Sequence, residues 1–151
     1  ACSSGNKNLV KLLIELGADI NKENNIGETP LFEACSSGNE NLVKYLYESL
    51  KVNIYKKNYL GETPIFKACS SGNENLVKYL IKLGLDINKE NDMAKTPFFN
   101  ACESGNENLV KYLIKLGVVD INKENRENET PLFEACESGN ENLVKYLIKL
   151  G

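Results

Sequence analysis

Apolar and polar positions alternate along the chain in two patterns that predict a pair of helices. The block at residues 29–38, TPLFEACSSG, places its apolar side chains on one face of a helix of about two turns. The block at residues 39–46, NENLVKYL, spaces its apolar side chains by three and four residues and predicts a second helix. Because a helix as short as the first is unstable alone in water, the pattern also predicts packing against a neighbouring element.

Residues typical of helix boundaries flank both blocks. Thr29 suits the N-cap of the first helix and Pro30 suits its first helical position. Gly38 suits the left-handed position that ends this helix, and Asn39 suits the N-cap of the second helix. Before the Thr-Pro pair, Gly27 stands where a tight turn favours positive φ. Each unit is therefore predicted to be a helix, a turn, a helix and an extended loop.

The same pair of blocks recurs along the whole chain. Residues 28–46 and 62–80 differ at only two of nineteen positions. The five cysteines mark the period, with spacings of 33, 34, 33 and 34: Cys2, Cys35, Cys69, Cys102 and Cys136. A fixed period in this range predicts an array in which each unit contacts its neighbours. We predict a single array over residues 1–151, with units at about 1–28 (partial), 29–62, 63–95, 96–129 and 130–151 (partial).

These motifs resemble the ankyrin-repeat family. The family pattern reads G-x-T-P-L-H-x-A-A, then x-x-G-H, then I-V-x-x-L-L and G-A-x-V-N. It is matched at most fixed positions by GETPLFEAC (27–35), SGN (37–39), LVKYL (42–46) and GADIN (17–21). The resemblance implies an all-α solenoid of stacked helix-turn-helix units joined by β-hairpin-like loops. About four and a half units are present, and we expect a fragment of a longer array.

Several departures from the family pattern predict local differences. Phe replaces the family histidine in every unit, so an apolar contact between units is expected at Phe32, Phe66, Phe99 and Phe133. Ala94 replaces the hairpin glycine of unit three, and we expect its turn to be reshaped because Ala at positive φ is costly. Units two and four carry one extra residue each, which we place after the second helix, at 49–54 and 117–122.

The cysteines of the array are predicted to be buried free thiols. Each lies on the apolar face of a first helix, where the family pattern has its second Ala. Helices of neighbouring units pack about 8–10 Å apart, whereas a disulfide needs Cα atoms within roughly 7 Å. Free thiols are typical of a reducing compartment, and we expect a cytoplasmic location.

Composition and charge argue against several classes of protein function. The formal net charge of −3 and the pI near 5.2 make nucleic-acid binding unexpected, and no apolar run is long enough to predict a membrane span. Histidine is absent, which excludes Ser-His and Cys-His nucleophiles, and no Cys-x-x-Cys motif predicts zinc. We therefore expect neither enzymatic activity nor a cofactor or metal.

The resemblance also implies where a partner protein binds. The family's concave surface is built from hairpin tips and first helices. The positions that correspond to it here are Asn25, Ile26, Glu28, Ser36, Ser37, Tyr59, Leu60, Glu62, Ser70, Ser71, Asp92, Met93, Lys95, Glu103, Ser104, Arg126, Glu127 and Glu129. Among them, acids outnumber bases, so a basic or mixed apolar–basic protein is the expected partner.

One tip position is apolar in three successive units. Ile26, Leu60 and Met93 occupy it, and we predict that they form an exposed apolar row beside Tyr59. Exposed contiguous apolar surface often marks an interaction site, and aromatic residues often anchor one. The alternative is that these side chains fold back onto the adjoining hairpin.

Two functions remain open from the sequence. The first is an interaction scaffold that binds a partner protein on the concave surface. The second is a structural spacer or self-assembling segment of a larger protein. The near-identical units favour this second function, as do array ends without polar caps, through which end-to-end self-association is expected.

Overall fold

A computed structural model describes residues 1–151, which form helices and loops without a β-strand. The helices are α1 (Lys7–Glu15), α2 (Pro30–Ser36), α3 (Glu40–Lys44), α4 (Pro64–Ser70), α5 (Glu74–Lys82), α6 (Pro97–Glu103), α7 (Glu107–Lys115), α8 (Pro131–Glu137) and α9 (Glu141–Leu150). A π-helical turn at Tyr45–Ser49 continues α3. The predicted all-α class is confirmed, and no helix is long and apolar enough to cross a bilayer.

The helices pack as a row of stacked pairs. The first helices contact one another in order, α2 on α4, α4 on α6 and α6 on α8, while each also contacts the second helix of its own unit. One cluster of 27 buried apolar residues runs through all the units, from Val10 to Leu147. Neighbouring units therefore bury each other's apolar faces, which a single unit of two short helices could not do alone.

The phenylalanines that follow Thr-Pro lie between units. Phe32, Phe66 and Phe99 are at most 1% exposed, so the expected apolar contact is confirmed there. Phe133 is 55% exposed, because no unit covers the far side of α8. The prediction is therefore wrong for Phe133, and the comparison shows that burial of this side chain depends on the next unit.

The cysteines divide into two groups. Cys35, Cys69 and Cys102 are buried, and burial raises the pKa of each of these thiols. Cys2 is half-buried and Cys136 is exposed, so the prediction of five buried thiols is wrong at the two outer positions. All five are free, as predicted.

Asparagine caps every second helix, as predicted. The Oδ1 of Asn39 accepts a hydrogen bond from the backbone N–H of Leu42 at 2.9 Å, and the same bond recurs at Asn6, Asn73, Asn106 and Asn140. The Nδ2 of the same side chain donates to a glycine carbonyl of the preceding unit in every unit after the first. One side chain therefore caps a helix and joins two units, and the joining bond was not predicted.

Threonine occupies the N-cap of the first helices without capping them through its side chain. No side-chain bond is made by Thr29, Thr63, Thr96 or Thr130. The N–H of Phe32 donates instead to the Thr29 carbonyl at 2.9 Å, and the same backbone bond recurs in the later units. The predicted helix start is correct, but the predicted side-chain cap is not formed.

The extra residue of unit two lies within the second helix and not after it. It is absorbed by the π-helical turn at Tyr45–Ser49, after which Lys51 takes a φ of +57° where other units have glycine. The N–H of Val52 still reaches the Leu46 carbonyl at 3.1 Å, so the chain returns to the core. In unit four, α7 keeps its ordinary length and the extra residue lies in the following loop, as predicted.

The turn at Ala94 is not reshaped, contrary to expectation. Ala94 takes a φ of +58°, and its N–H donates to the Asn91 carbonyl at 3.0 Å. Gly27 has a φ of +78° and donates to Asn24 over the same distance. Hydrogen bonds on both sides hold the hairpin in the shape of its neighbours, and the strain falls on Ala94 itself.

Lysine and tyrosine side chains link the second helices on their solvent-facing side. Lys44 lies over the Tyr79 ring of the next unit, and equivalent contacts join Lys78 to Tyr112 and Lys111 to Tyr146. The hydroxyl of Tyr79 also donates to Glu48, which the π-helical turn presents. Burial is the largest cause that raises the pKa of Tyr79, to about 12, and the hydrogen bond to Glu48 is the next largest.

Candidate functional site

An asparagine closes each hairpin between units. In the second hairpin the Oδ1 of Asn58 accepts from the N–H groups of Leu60 and Glu62, at 3.0 and 2.9 Å. The backbone N–H of Asn58 donates to the Glu62 carbonyl at 2.9 Å. The same set of bonds recurs at Asn24, Asn91 and Asn125. This role was not predicted, although an Asn stands five residues before the Thr of every hairpin.

Backbone hydrogen bonds tie the hairpin tips into one ladder. The N–H of Tyr59 donates to the Ile26 carbonyl, that of Asp92 to Leu60, and that of Arg126 to Met93, each at 2.9 Å. The three carbonyls belong to the residues of the predicted apolar row. The ladder therefore holds these residues in register from one unit to the next.

The apolar row is exposed along this ladder. Ile26 is 45% exposed, Leu60 50% and Met93 39%, and Tyr59 beside them is 66% exposed. The Tyr59 ring crosses directly over Gly27, where an added Cβ would lie only 2.6 Å from a ring carbon. Gly27 therefore serves twice, since it supplies the positive φ of the turn and the space for this ring.

Glu28 does not belong to the accessible surface, contrary to prediction. It is only 5% exposed, and its carboxylate lies 3.1 Å from the Lys67 ammonium and 3.2 Å from the Asn58 amide. Glu62 is half-buried and accepts from the Asn58 and Asn91 amides, at 3.0 and 3.1 Å. These two carboxylates join neighbouring hairpins, so they are unavailable as free charges for a partner.

Lys95 and Glu129 are also engaged within the array. The Lys95 ammonium lies 2.6 Å from the Glu134 carboxylate and 4.0 Å from Glu129. Burial alone would lower the pKa of Lys95, but the hydrogen bond and charge of Glu134 raise it above its usual value. Lys95 is therefore held as a cation between the third hairpin and α8.

The predicted serines are partly structural. The hydroxyls of Ser37, Ser71 and Ser104 donate at 2.7–2.8 Å to the carbonyl of the Ala three residues earlier, which holds the turn between the two helices. The Ser70 hydroxyl accepts from the Asn100 amide at 3.0 Å, whereas Ser36 is exposed. Only Ser36 keeps a hydroxyl without such a bond.

The remaining charged positions on this side are exposed and mostly acidic. They comprise four carboxylates and one guanidinium: Asp92, Glu103, Glu127, Glu137 and Arg126. A cavity of about 350 Å³ between units four and five is lined by three of these carboxylates, together with Phe99 and Phe133. Asn25 is exposed as well. The surface is therefore apolar along the first three hairpins and acidic toward the last two units.

A family model described as ankyrin repeats (3 copies) matches residues 1–91 and 83–151, which together span the chain. The chain belongs to the ankyrin-repeat family. Ankyrin repeats are in general protein–protein interaction modules, and the family is one of non-enzymatic scaffolds. No curated protein is significantly similar to this chain.

Phenylalanine stands between the units of this chain at the position where the ankyrin pattern has histidine. The family pattern has a histidine after T-P-L, and this chain has Phe, which offers no hydrogen-bonding group. The Thr29 hydroxyl nearby is buried and has no hydrogen-bond partner. Stacking of these ankyrin repeats therefore depends on apolar packing at Phe32 and on the asparagine bonds described above.

Proposed function

We propose that this array is a scaffold that binds a partner protein across its hairpin tips and first helices. The observation that carries the proposal is the apolar row of Ile26, Leu60 and Met93, exposed and held in register by backbone bonds. Exposed apolar positions are common singly, but three that recur in register next to an exposed tyrosine are typical of an interaction surface. Because the ladder already fixes the backbone of the hairpin tips, binding would cost less conformational entropy than it would for mobile loops.

The charge on this side supports a basic or mixed apolar–basic partner. Once the paired groups Glu28, Glu62, Lys95 and Glu129 are set aside, four carboxylates remain exposed against one guanidinium. Such a surface attracts cationic side chains and repels phosphates. A partner that complements both the apolar row and the acidic end carries apolar side chains opposite the row and Lys or Arg opposite the acidic end.

A triple substitution at the tips tests this proposal. Ile26→Glu, Leu60→Glu and Met93→Glu together place charge along the row without touching the buried core. A partner captured from a native cell extract by the original protein should be lost, with affinity lower by more than about tenfold. The matched control is Asn41→Glu, Asn75→Glu and Asn108→Glu, which changes the net charge equally at exposed second-helix positions.

The control separates specific binding from charge effects. Both variants must show the circular dichroism of the original protein before capture is compared. Loss of the partner in the tip variant alone supports the proposed surface. Equal capture by the tip variant and the control contradicts it, because the row would then contribute nothing.

Assembly through the end faces is a second candidate, favoured by Phe133. Its exposed ring belongs to the face that Phe66 and Phe99 bury beneath the next unit. A further unit can stack there, whether it belongs to the same chain or to a second copy. Sedimentation velocity of the 151-residue chain and its Phe133→Glu variant over a range of concentrations tests for the second copy.

A further inference from the structure

The residues just before each hairpin tip form an arm that stacks on the arm of the next hairpin. Ion pairs join neighbouring arms at two of the three boundaries between hairpins. Glu23 of the first hairpin pairs with Lys56 of the second at 2.7 Å. Glu90 of the third pairs with Lys123 of the fourth at 2.8 Å. In both cases the glutamate lies three residues before the carbonyl acceptor of the tip ladder, and the lysine three residues before its N–H donor.

The boundary between the second and third hairpins has lysine at both positions. Lys57 lies three residues before Leu60, where the other boundaries have glutamate, and Lys89 lies three residues before Asp92. The tip bond from Asp92 to Leu60 is 2.9 Å, the same as at the other two boundaries. The arms therefore stack alike, and Lys57 and Lys89 occupy the positions that Glu23 and Lys56 occupy at the first boundary.

Neither of these two lysines has a partner in the array. Both are exposed, and neither makes an ion pair within 4.0 Å or a side-chain hydrogen bond, whereas Lys56 and Lys123 on either side are paired. The loop that leads into the second hairpin, residues 51–57, carries lysines and no acidic residue, whereas the corresponding loops before the other hairpins all carry acids. This gives a local positive site on a chain whose net charge is −3.

We propose that Lys57 and Lys89 form a docking site for an acidic side chain of a partner protein. A carboxylate placed between the two ammonium groups would supply the negative charge that Glu23 and Glu90 supply at the flanking boundaries. Opposite charges at a protein interface fix orientation and partner choice more than they add affinity. The site requires neither the tip row nor the acidic end, so it can be correct even if the proposed function is wrong.

A labelled peptide with two adjacent glutamates in a Gly-Ser context is a suitable probe. Its binding is measured by chemical-shift perturbation of the ¹⁵N-labelled chain at low salt, with the glutamine version as the uncharged control. Lys57→Glu should weaken binding by about tenfold or more, because repulsion replaces a charge-assisted hydrogen bond. Lys115→Glu is the matched control, since Lys115 is an exposed lysine without an ion pair and the charge change is the same.

A second measurement needs no ligand and tests whether Lys57 and Lys89 lie opposite each other. In Lys57→Glu, the new carboxylate should pair with Lys89, and the folding equilibrium constant should rise by about twofold relative to Lys57→Gln, which removes the lysine charge but cannot form an ion pair. No rise relative to this control would show that the two positions do not face each other, which overturns the site.

Three outcomes of the binding experiment overturn the proposal. The first is equal weakening by both variants, which means that net charge alone attracts the peptide. The second is no binding to the original chain. The third is tighter binding of a single-stranded oligonucleotide that also depends on Lys57, which assigns the site to phosphates and not to a protein carboxylate. Loss confined to Lys57→Glu, with a stronger signal for the glutamate peptide than for the glutamine peptide, supports the proposal.

Discussion

Asn73 provides the sharpest test of how the units are joined. Its Oδ1 accepts from the Leu76 N–H at 3.0 Å and caps α5, while its Nδ2 donates to the Gly38 carbonyl at 2.8 Å and links units two and three. Loss of an asparagine N-cap costs about 1 kcal/mol. Loss of a half-buried amide hydrogen bond costs about 1 kcal/mol more. Asn73→Ala should therefore lower the free energy of unfolding by about 2 kcal/mol.

Asn73→Ser separates the two contributions. Serine caps a helix about as well as asparagine, but it is too short to reach Gly38 as Nδ2 does. The serine variant should therefore lose only about 1 kcal/mol. Asn6→Ala is an independent comparison, because Asn6 caps α1 and makes no bond to another unit, and it should also lose about 1 kcal/mol.

Urea unfolding followed by far-UV circular dichroism measures these differences. Thermal unfolding should show a fall in Tm of about 4–8 °C for Asn73→Ala, given about 2–4 °C per kcal/mol for a chain of this size. The alanine and serine variants are compared at equal m-values, which ensures that the same surface is exposed. Equal losses for the two variants would show that the bond to Gly38 contributes nothing to stability, contrary to the prediction.

The other predictions concern packing, thiols and backbone strain. Phe66→Ala should lose about 3–5 kcal/mol in urea unfolding because it opens a cavity between units, whereas Phe133→Ala should lose less than about 1; similar losses would contradict the packing described. Cys136 should react with a thiol reagent within seconds at neutral pH and the three buried thiols only on unfolding, and uniform rates would be inconsistent with the burial pattern. Ala94→Gly should stabilise the chain by about 1 kcal/mol because it relieves a positive φ, and a loss of stability would show that the turn is unstrained.

Features that recur in every unit were predictable from the sequence. The helix pairs, the asparagine caps and the left-handed glycines each depend on local residues that repeat at one place in the period. The exposure of Ile26, Leu60 and Met93 was one of two alternatives that the sequence left open, because a recurring apolar position does not show whether its side chains project or fold back; in the structure they are exposed. Whether a partner binds there stays a prediction.

The failures come from contacts between units that the local pattern does not contain. Glu28 and Lys67 are far apart in sequence, and only stacking brings their charged groups to 3.1 Å, which removes Glu28 from the surface. Lys95 and Glu134 form the same kind of pair with the charges exchanged. In unit two, the choice between a longer loop and a π-helical turn depends on how Leu46 and Val52 reach the core, which periodicity alone does not decide.

Site-specific photocrosslinking shows directly whether a partner protein binds across the tip row. A photoreactive phenylalanine is placed at Leu60 on the tip row or, as the control, at Asn75 on the exposed face of α5, and each protein is irradiated in a native extract. If the tip row is the binding surface, one protein should be crosslinked from position 60 and not from position 75, and Ile26→Glu with Met93→Glu should abolish the crosslink. Crosslinks of the same proteins at equal yield from both positions, or from position 75 alone, would contradict binding across the tip row.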